Sequence, residues 1–318
     1  MNVLVTGSNG FVGTHLCNLL ERSGVKVVRA VRNPVPGAVA VGSICGATDW
    51  SEALRGIDVV VHAAARVHML NDAAVDPMTE FQEVNVEGTL NLAQQAAHGG
   101  VSRFIFISSI AVHGLTSKHQ PFSYLDKPNP HDAYGYSKFE AEKGLVRISA
   151  ETCMEQVIIR PPLVYGPGVG ANFLRLMKLA DSGLALPLGG IRNLRSPVFV
   201  DNLCDLVKVC LTHSSAMNQT FLVSDDQDVS TPELIRRLAV EMSRPVRLFS
   251  VPVFLLRLVG LLTGRSGEVA RVCGSLQLDI SHTKYILGWS PPFSMDVGIA
   301  LTAKDYLQSK KRKGDGCS

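Results

Sequence analysis

Five short apolar runs, Asn2–Thr6, Val25–Val31, Ile57–Ala63, Arg103–Ser108 and Gln156–Arg160, alternate with stretches of helical periodicity. Such runs carry no polar face, so each must be covered on both sides. A chain that interleaves them with helices is driven towards a parallel sheet with helices on both faces. The first helical stretch places Leu16, Leu19 and Leu20 on one side and stops at Gly24. Two longer ones are expected, from Pro77 to Ala97 and from Tyr134 to Ala150. The predicted fold is therefore α/β, a doubly wound parallel Rossmann sheet.

After Pro161 the texture changes, with Pro161, Pro162, Gly166, Pro167, Gly168 and Gly170 crowded into one stretch. We expect residues 1–165 to form the dinucleotide-binding domain and 166–308 a smaller, mixed, discontinuous substrate lobe. Residues 196–220, and Ser196–Leu211 in particular, are expected to return to the main sheet.

A chain of 318 residues with 46% hydrophobic and 19% charged residues has ample material for a core. Its net charge of +3 is too small to point to nucleic acid as the partner. Much of that excess is the run Lys310, Lys311, Arg312, Lys313, so 309–318 reads as a disordered, solvated basic tail rather than a membrane anchor. The seven cysteines, Cys17, Cys45, Cys153, Cys204, Cys210, Cys273 and Cys317, include no C-x-x-C pair, which suits a reduced, cytoplasmic protein without a metal site. No signal peptide is expected, because the first apolar run breaks after Thr6 into a glycine turn. The longest apolar stretch, Val251 to Leu262, is interrupted by Pro252, Arg257 and Gly260. It is too short to span a bilayer and predicts a packed helix.

Gly7, Gly10 and Gly13 stand between the first strand and the first helix, in Thr-Gly-Ser-Asn-Gly-Phe-Val-Gly. Glycines there permit a tight turn, close approach of a pyrophosphate and tight helix–strand packing. The helix N-terminus presents free N–H groups to the phosphates. The second strand should end at the residue that meets the adenosine ribose. It ends Val-Arg-Ala-Val-Arg-Asn-Pro, with no carboxylate to accept from the 2′-hydroxyl of NAD. Arg32 is placed to bind a 2′-phosphate, which favours NADP over the alternative, NAD. Arg29, inside the strand, is the weaker candidate.

Tyr134 and Lys138 are spaced i, i+4 behind a candidate N-cap, Asp132, so they share one helix face, whereas Tyr136 at i+2 does not. A free phenol has a pKa of about 10. A neighbouring ammonium and a positive nicotinamide should draw it towards neutrality and let it act as acid or base. Ser109, in Ser108-Ser109 at the end of the fourth buried strand run (Arg103–Ser108), faces the crevice where ligands bind such sheets and can hold a substrate oxygen.

With these three elements in order, the chain resembles the extended short-chain dehydrogenase/reductase superfamily, in its nucleotide-sugar epimerase/dehydratase branch, from Met1 to about Leu307. The resemblance is also carried by His62-Ala63-Ala64-Ala65, Asn85-Val86-Glu87-Gly88-Thr89, Arg160-Pro161-Pro162-Leu163-Val164-Tyr165-Gly166-Pro167-Gly168, Phe199-Val200-Asp201-Asn202-Leu203 and Leu287-Gly288-Trp289-Ser290-Pro291. It implies that Ser109, Tyr134 and Lys138 are the catalytic serine, tyrosine and lysine, with Lys138 also holding the nicotinamide ribose. It implies cofactor contacts from Asn9, Phe11, Val12, Ser43, Ile44, Ala63, Ala64, Ala65, Asn85 and Pro161, besides the glycines and Arg32. It places Ser109, His113, Asn172 and Arg195 towards a UDP-sugar, and a homodimer through helices 77–97 and 134–150. As plain structure, Asn172 reads equally well as a helix N-cap and Arg195 as a surface charge.

Three departures from the family pattern bear on chemistry. Ser43 replaces an acid expected near adenine. His113 stands where many relatives carry tyrosine. Ile110 follows Ser109 where sugar-nucleotide dehydratases typically carry Asp-Glu, which argues against elimination. The expected activity is NADP-dependent reduction of the C4 ketone of a UDP-4-keto-6-deoxy-N-acetylhexosamine, as in bacterial surface-polysaccharide pathways. The alternative is a UDP-sugar 4-epimerase with tightly bound NAD. A non-catalytic dinucleotide sensor is disfavoured by the intact triad.

Overall fold

The computed structural model describes residues 1–67, 77–117 and 120–315. In chain order, β1 (Asn2–Thr6) leads to α1 (Phe11–Arg22), β2 (Lys26–Val31), β3 (Val39–Ala40) and β4 (Val59–His62). Next come α2 (Pro77–Phe81), a π-helical turn (Gln82–Glu87), α3 (Gly88–His98), β5 (Arg103–Ile107), α4 (Ala133–Glu151) and β6 (Glu155–Arg160). The remainder is β7 (Val164–Tyr165), α5 (Ala171–Asp181), β8 (Ala185–Leu186), β9 (Val198–Phe199), α6 (Val200–Cys210), β10 (Gln219–Leu222) and α7 (Thr231–Glu241). It closes with β11 (Arg247–Leu248), α8 (Val253–Leu262), α9 (Ser266–Cys273), α10 (Ser281–Leu287) and α11 (Met295–Asp315).

Seven strands form one parallel sheet in the order β10-β6-β5-β4-β1-β2-β3, the doubly wound α/β architecture expected from the sequence. The strands are buried on both faces. Val3, Val5, Val61, Ile105 and Ile159 pack towards α1 and α6, while Leu4, Val60, Phe104 and Phe106 pack towards α3 and α4. The chain leaves β1 first to one side and then to the other. The resulting switch point opens a crevice at the carboxyl ends of β1 and β4, where Thr6 and His62 lie in register.

Three expectations are corrected by the fold. The segment after Ser196 returns to the main sheet only at its end: β9 pairs with β7 in a separate two-stranded sheet, Ser196–Leu211 adds no strand to the main sheet, and Gln219–Leu222 pairs with β6. The reason lies in the spacing of Val200, Leu203, Cys204, Val207 and Cys210, which is helical, and α6 buries that face against α1. Nor does the basic run begin an irregular tail. α11 continues to Asp315, and Lys310 Nζ is tied to Asp181 at 2.5 Å. Gly316, Cys317 and Ser318 lie outside the described residues. Thirdly, α8 is not a packed helix. It covers α9 with only one side, through Gly260 against Val269, and leaves Phe254, Leu258, Leu261 and Leu262 exposed.

Candidate active site

The turn after β1 is built around glycine because nothing larger fits. Gly7 has φ +64°, and a Cβ on it would lie 2.8 Å from the amide nitrogen of Ala64. A Cβ on Gly13 would come within 2.0 Å of the Gly7 carbonyl oxygen. Gly10 donates its N–H to that same carbonyl at 2.9 Å and caps α1. The first turn of α1 carries no acidic residue and its N-cap no side-chain hydrogen bond. Its amides thus remain open to an anion. The cradle fits a dinucleotide pyrophosphate.

This turn borders a cleft of about 540 Å³ lined by Gly7, Asn9, Gly10, Arg32, Ile44 and Ala63–Ala65. Arg32 is exposed at its rim, beside Asn33, and among the described residues no Asp or Glu lines the cleft. Arg29 is committed elsewhere, forming a two-oxygen ion pair with Glu21 at 2.9 Å. Phe11, Val12 and Gly13 stand behind the lining in the first turn of α1. Ser43 also lies outside the lining, and its carbonyl accepts from the Thr48 hydroxyl at 2.8 Å.

Asn85 is not among the cleft residues either. Buried in the π-helical turn, it accepts from the Arg66 amide at 2.8 Å and donates to the Arg66 carbonyl at 3.1 Å and the Ser137 hydroxyl at 3.0 Å. It therefore clamps the Ala63–Arg66 wall onto α4. Pro161 is buried, and its carbonyl accepts from Ile110 N at 2.9 Å, anchoring the turn that carries Ser109.

A buried relay holds the switch point together. Thr6 Oγ1 lies 2.7 Å from His62 Nδ1, and His62 Nε2 lies 3.0 Å from Thr89 Oγ1, which donates to the Asn85 carbonyl. The Ala64 amide donates to Thr6 Oγ1 at 3.2 Å. Those partners are all satisfied if His62 carries its proton on Nε2. Burial, with Lys138 nearby, lowers its pKa to about 3 and keeps it neutral.

The three catalytic candidates converge at the ends of β5 and α4. Ser109 Oγ accepts from Ala111 N at 3.1 Å, which fixes its direction at the start of a 3₁₀ turn. Asp132 caps α4 by accepting from Gly135 N at 2.7 Å, and thereby sets the phase that puts Tyr134 and Lys138 on one face. Ser109 is hydrogen-bonded to the Tyr134 phenol, whose ring meets Phe81 edge-on at 6.2 Å between centroids. Lys138 is buried, donates to the Ile107 carbonyl at 2.9 Å and lies 4.4 Å from the centre of the Phe106 ring. Tyr136 points out to solvent.

The electrostatics differ from the expectation of a phenol near neutrality. Burial pushes Tyr134 up to about 12, opposed by the hydrogen bond with Ser109. Burial brings Lys138 down to about 7, with Glu142 opposing. The chain's own groups thus keep the phenol protonated, as a proton donor requires.

Behind the triad lies a charged network that sequence reasoning missed. Glu142 and Arg160 form a buried ion pair at 2.6 Å, and Ser108 Oγ donates to Glu142 Oε1 at 2.5 Å. Arg160 Nη1 also donates to His113 Nε2 at 2.7 Å. One signal was available: Tyr134, Lys138 and Glu142 form an i, i+4, i+8 stripe. His113 stacks on Phe122, 5.5 Å between centroids, and its Nδ1 is buried without a hydrogen-bond partner among the described residues.

Asn172 and Arg195 line a second, largely apolar cavity of about 250 Å³, together with Leu163, Leu176, Val229 and Arg271. Asn172 is not a helix cap, since Gly170 occupies that position of α5. Arg195 is no free surface charge either. Its Nη1 donates to the carbonyls of Arg271 at 2.8 Å and Gly274 at 3.1 Å.

Comparison with known proteins agrees with this geometry. Residues 3–224 match the NAD dependent epimerase/dehydratase family. The chain is 48% identical to UDP-glucose 4-epimerase of Vibrio cholerae, over 98% of this chain and 97% of that protein. It is 28% identical to N-acetyl-alpha-D-glucosaminyl-diphospho-ditrans,octacis-undecaprenol 4-epimerase of Escherichia coli O157:H7, with the same coverage. The crystal structure of UDP-glucuronic acid 4-epimerase from Bacillus cereus in complex with NAD superposes with a TM-score of 0.77 at 23% identity. That match covers 97% of this chain and 99% of the other, and it speaks for the fold alone.

Proposed function

This chain belongs to the NAD dependent epimerase/dehydratase family, and within it we propose that it reduces the C4 ketone of a UDP-linked 4-keto-6-deoxy-N-acetylhexosamine with NADPH. The observation that carries this reading is the ribose end of the cleft, where Arg32 and Asn33 stand at the rim and no carboxylate among the described residues lines the wall. A guanidinium there favours a 2′-phosphate, and NADP suits an enzyme that must release oxidised cofactor at each turnover.

Bound NADPH would supply the hydride to C4. The Gly7–Gly13 turn and the N-terminus of α1 would hold its pyrophosphate, Arg32 its 2′-phosphate, and Lys138 its nicotinamide ribose. Ser109 would hold O4 of the sugar, and Tyr134 would donate its phenolic proton to that oxygen as the carbon becomes a carbinol. Ile110 beside Ser109 leaves no acid–base pair for eliminating water. Residues 1–165 with 196–220 serve the cofactor, and 166–308 serve the sugar nucleotide, whose UDP would lie in the cavity of Asn172 and Arg195. A homodimer would form through the helical stretches 77–97 and 134–150.

A second reading, 4-epimerisation of a UDP-hexose with retained NAD, draws support from the activity named for the Vibrio cholerae relative. The two separate in one experiment. The enzyme is mixed with the keto-sugar nucleotide, generated in situ by a dehydratase, and NADPH absorbance is followed. Consumption of NADPH is expected. No consumption, together with epimerisation of UDP-glucose or UDP-N-acetylglucosamine without added cofactor, would reject the reductase in favour of the epimerase.

A further inference from the structure

We propose that α8 is a membrane-docking helix that lays the substrate lobe on a bilayer rich in anionic lipid. The inference holds for either reaction above, because it rests on a different part of the molecule.

Six apolar side chains of α8, Phe254, Leu255, Leu258, Val259, Leu261 and Leu262, are exposed. Phe254 reaches 67%, Leu261 69% and Leu262 77%. By helical geometry they fall on one contiguous side, while Val253, Leu256 and Gly260 face inward. Scattered apolar residues on a surface need no explanation, but a continuous apolar helix face does. A ten-residue helix is about 15 Å long, half the hydrocarbon thickness of a bilayer, so this one cannot cross and would lie in the interfacial plane. Among the described residues no helix is long and apolar enough to span a membrane.

Charge identifies the partner. From Arg244 to Ser275 the chain carries five arginines, Arg244, Arg247, Arg257, Arg265 and Arg271, and one acid, Glu268. Glu268 is neutralised by Arg175 at 3.3 Å and Arg244 by Asp181 at 2.9 Å. Arg247, Arg257 and Arg265 are exposed and have no carboxylate partner among the described residues. Arg257 flanks the apolar side, where a long stem can keep its charge at headgroup level. Asp181 also binds Lys310, so Arg244 and Lys310 share one carboxylate. An apolar helix face bordered by unneutralised arginines complements acyl chains and phosphate headgroups together.

The position has a consequence for catalysis. α8 packs on α9, and α9 contributes Glu268, Arg271 and Val272 to the cavity of Asn172 and Arg195. Docking would set the mouth of that cavity beside the membrane surface.

The test is flotation of the full-length protein with vesicles of equal parts phosphatidylglycerol and phosphatidylcholine, and with phosphatidylcholine alone. The wild type should float with the anionic vesicles, more weakly with the neutral ones, and should be released by high salt. The doubly substituted Phe254→Ser, Leu258→Ser protein should bind at least ~10-fold more weakly. Arg257→Glu with Arg265→Glu should abolish the preference for anionic lipid. Each variant is checked for an unchanged circular dichroism spectrum and cofactor affinity. Failure of the wild type to float, or equal flotation by the serine variant, would overturn the proposal. So would light scattering that shows an oligomer dissolved by the serine substitutions, which would give this face to a second copy of the chain.

Discussion

Arg160 donates from Nη1 to Nε2 of His113 at 2.7 Å, so the imidazole must accept there and carry its proton on Nδ1. A guanidinium cannot accept, and a second proton on His113 would set two cations against each other. Burial and Arg160 together lower the pKa of His113 to about 4.

That relationship predicts a pH dependence of stability. In the unfolded chain the imidazole takes up a proton near pH ~6.5, whereas in the fold it does so only near 4. Between those values the unfolded state binds more protons, so stability falls as pH drops from about 6.5 towards 4, by on the order of 3 kcal/mol for this group. Buried His62 contributes with the same sign, over a window that extends from about 6.5 down to about 3. Urea midpoints measured across this window should slope less steeply in His113→Gln, which keeps an acceptor for Arg160 but does not titrate. Identical slopes would show that His113 is not the titrating group.

Replacing Tyr134 with Phe should lower kcat by about 10²–10⁴-fold and leave cofactor affinity nearly unchanged, since only the proton donor is lost. Lys138→Ala should damage kcat and cofactor binding together. Steady-state kinetics combined with calorimetric cofactor titration separate the two. Wild-type turnover by the Phe variant would remove Tyr134 from the mechanism.

Arg32→Asp should move cofactor preference from NADPH towards NADH by roughly 10–100-fold, the equivalent of one charge-assisted hydrogen bond. Competitive calorimetry with both dinucleotides reads this directly. A wild type that already prefers NADH would transfer support to the epimerase reading.

Gly13→Ala should abolish dinucleotide binding and lower the melting temperature, because the added methyl would sit 2.0 Å from a backbone oxygen that the turn cannot move cheaply. The cost of such overpacking is typically about 1–3 kcal/mol or more. Normal NADPH affinity in the alanine variant would mean that the turn is looser than described.

Much of this protein was legible in its residues because the signals are local. Apolar runs buried on both faces, helical spacing, the glycines of the first turn and the Asp132 cap each act within a few residues, so sheet type and the shared face of Tyr134 and Lys138 followed from the chain itself. Tertiary structure decided what depends on partners distant in sequence. It tied Asn85, expected at the cofactor, to Arg66 and Ser137, fifty-two residues away in the latter case. It joined Ser108, Glu142, Arg160 and His113 into one buried network, although they come from three different segments, the turn after β5, α4 and β6. It also left α8 uncovered. Hydrophobicity in a sequence states that a side chain should leave water, whereas only the packing of strands and helices around it decides whether this chain provides the cover.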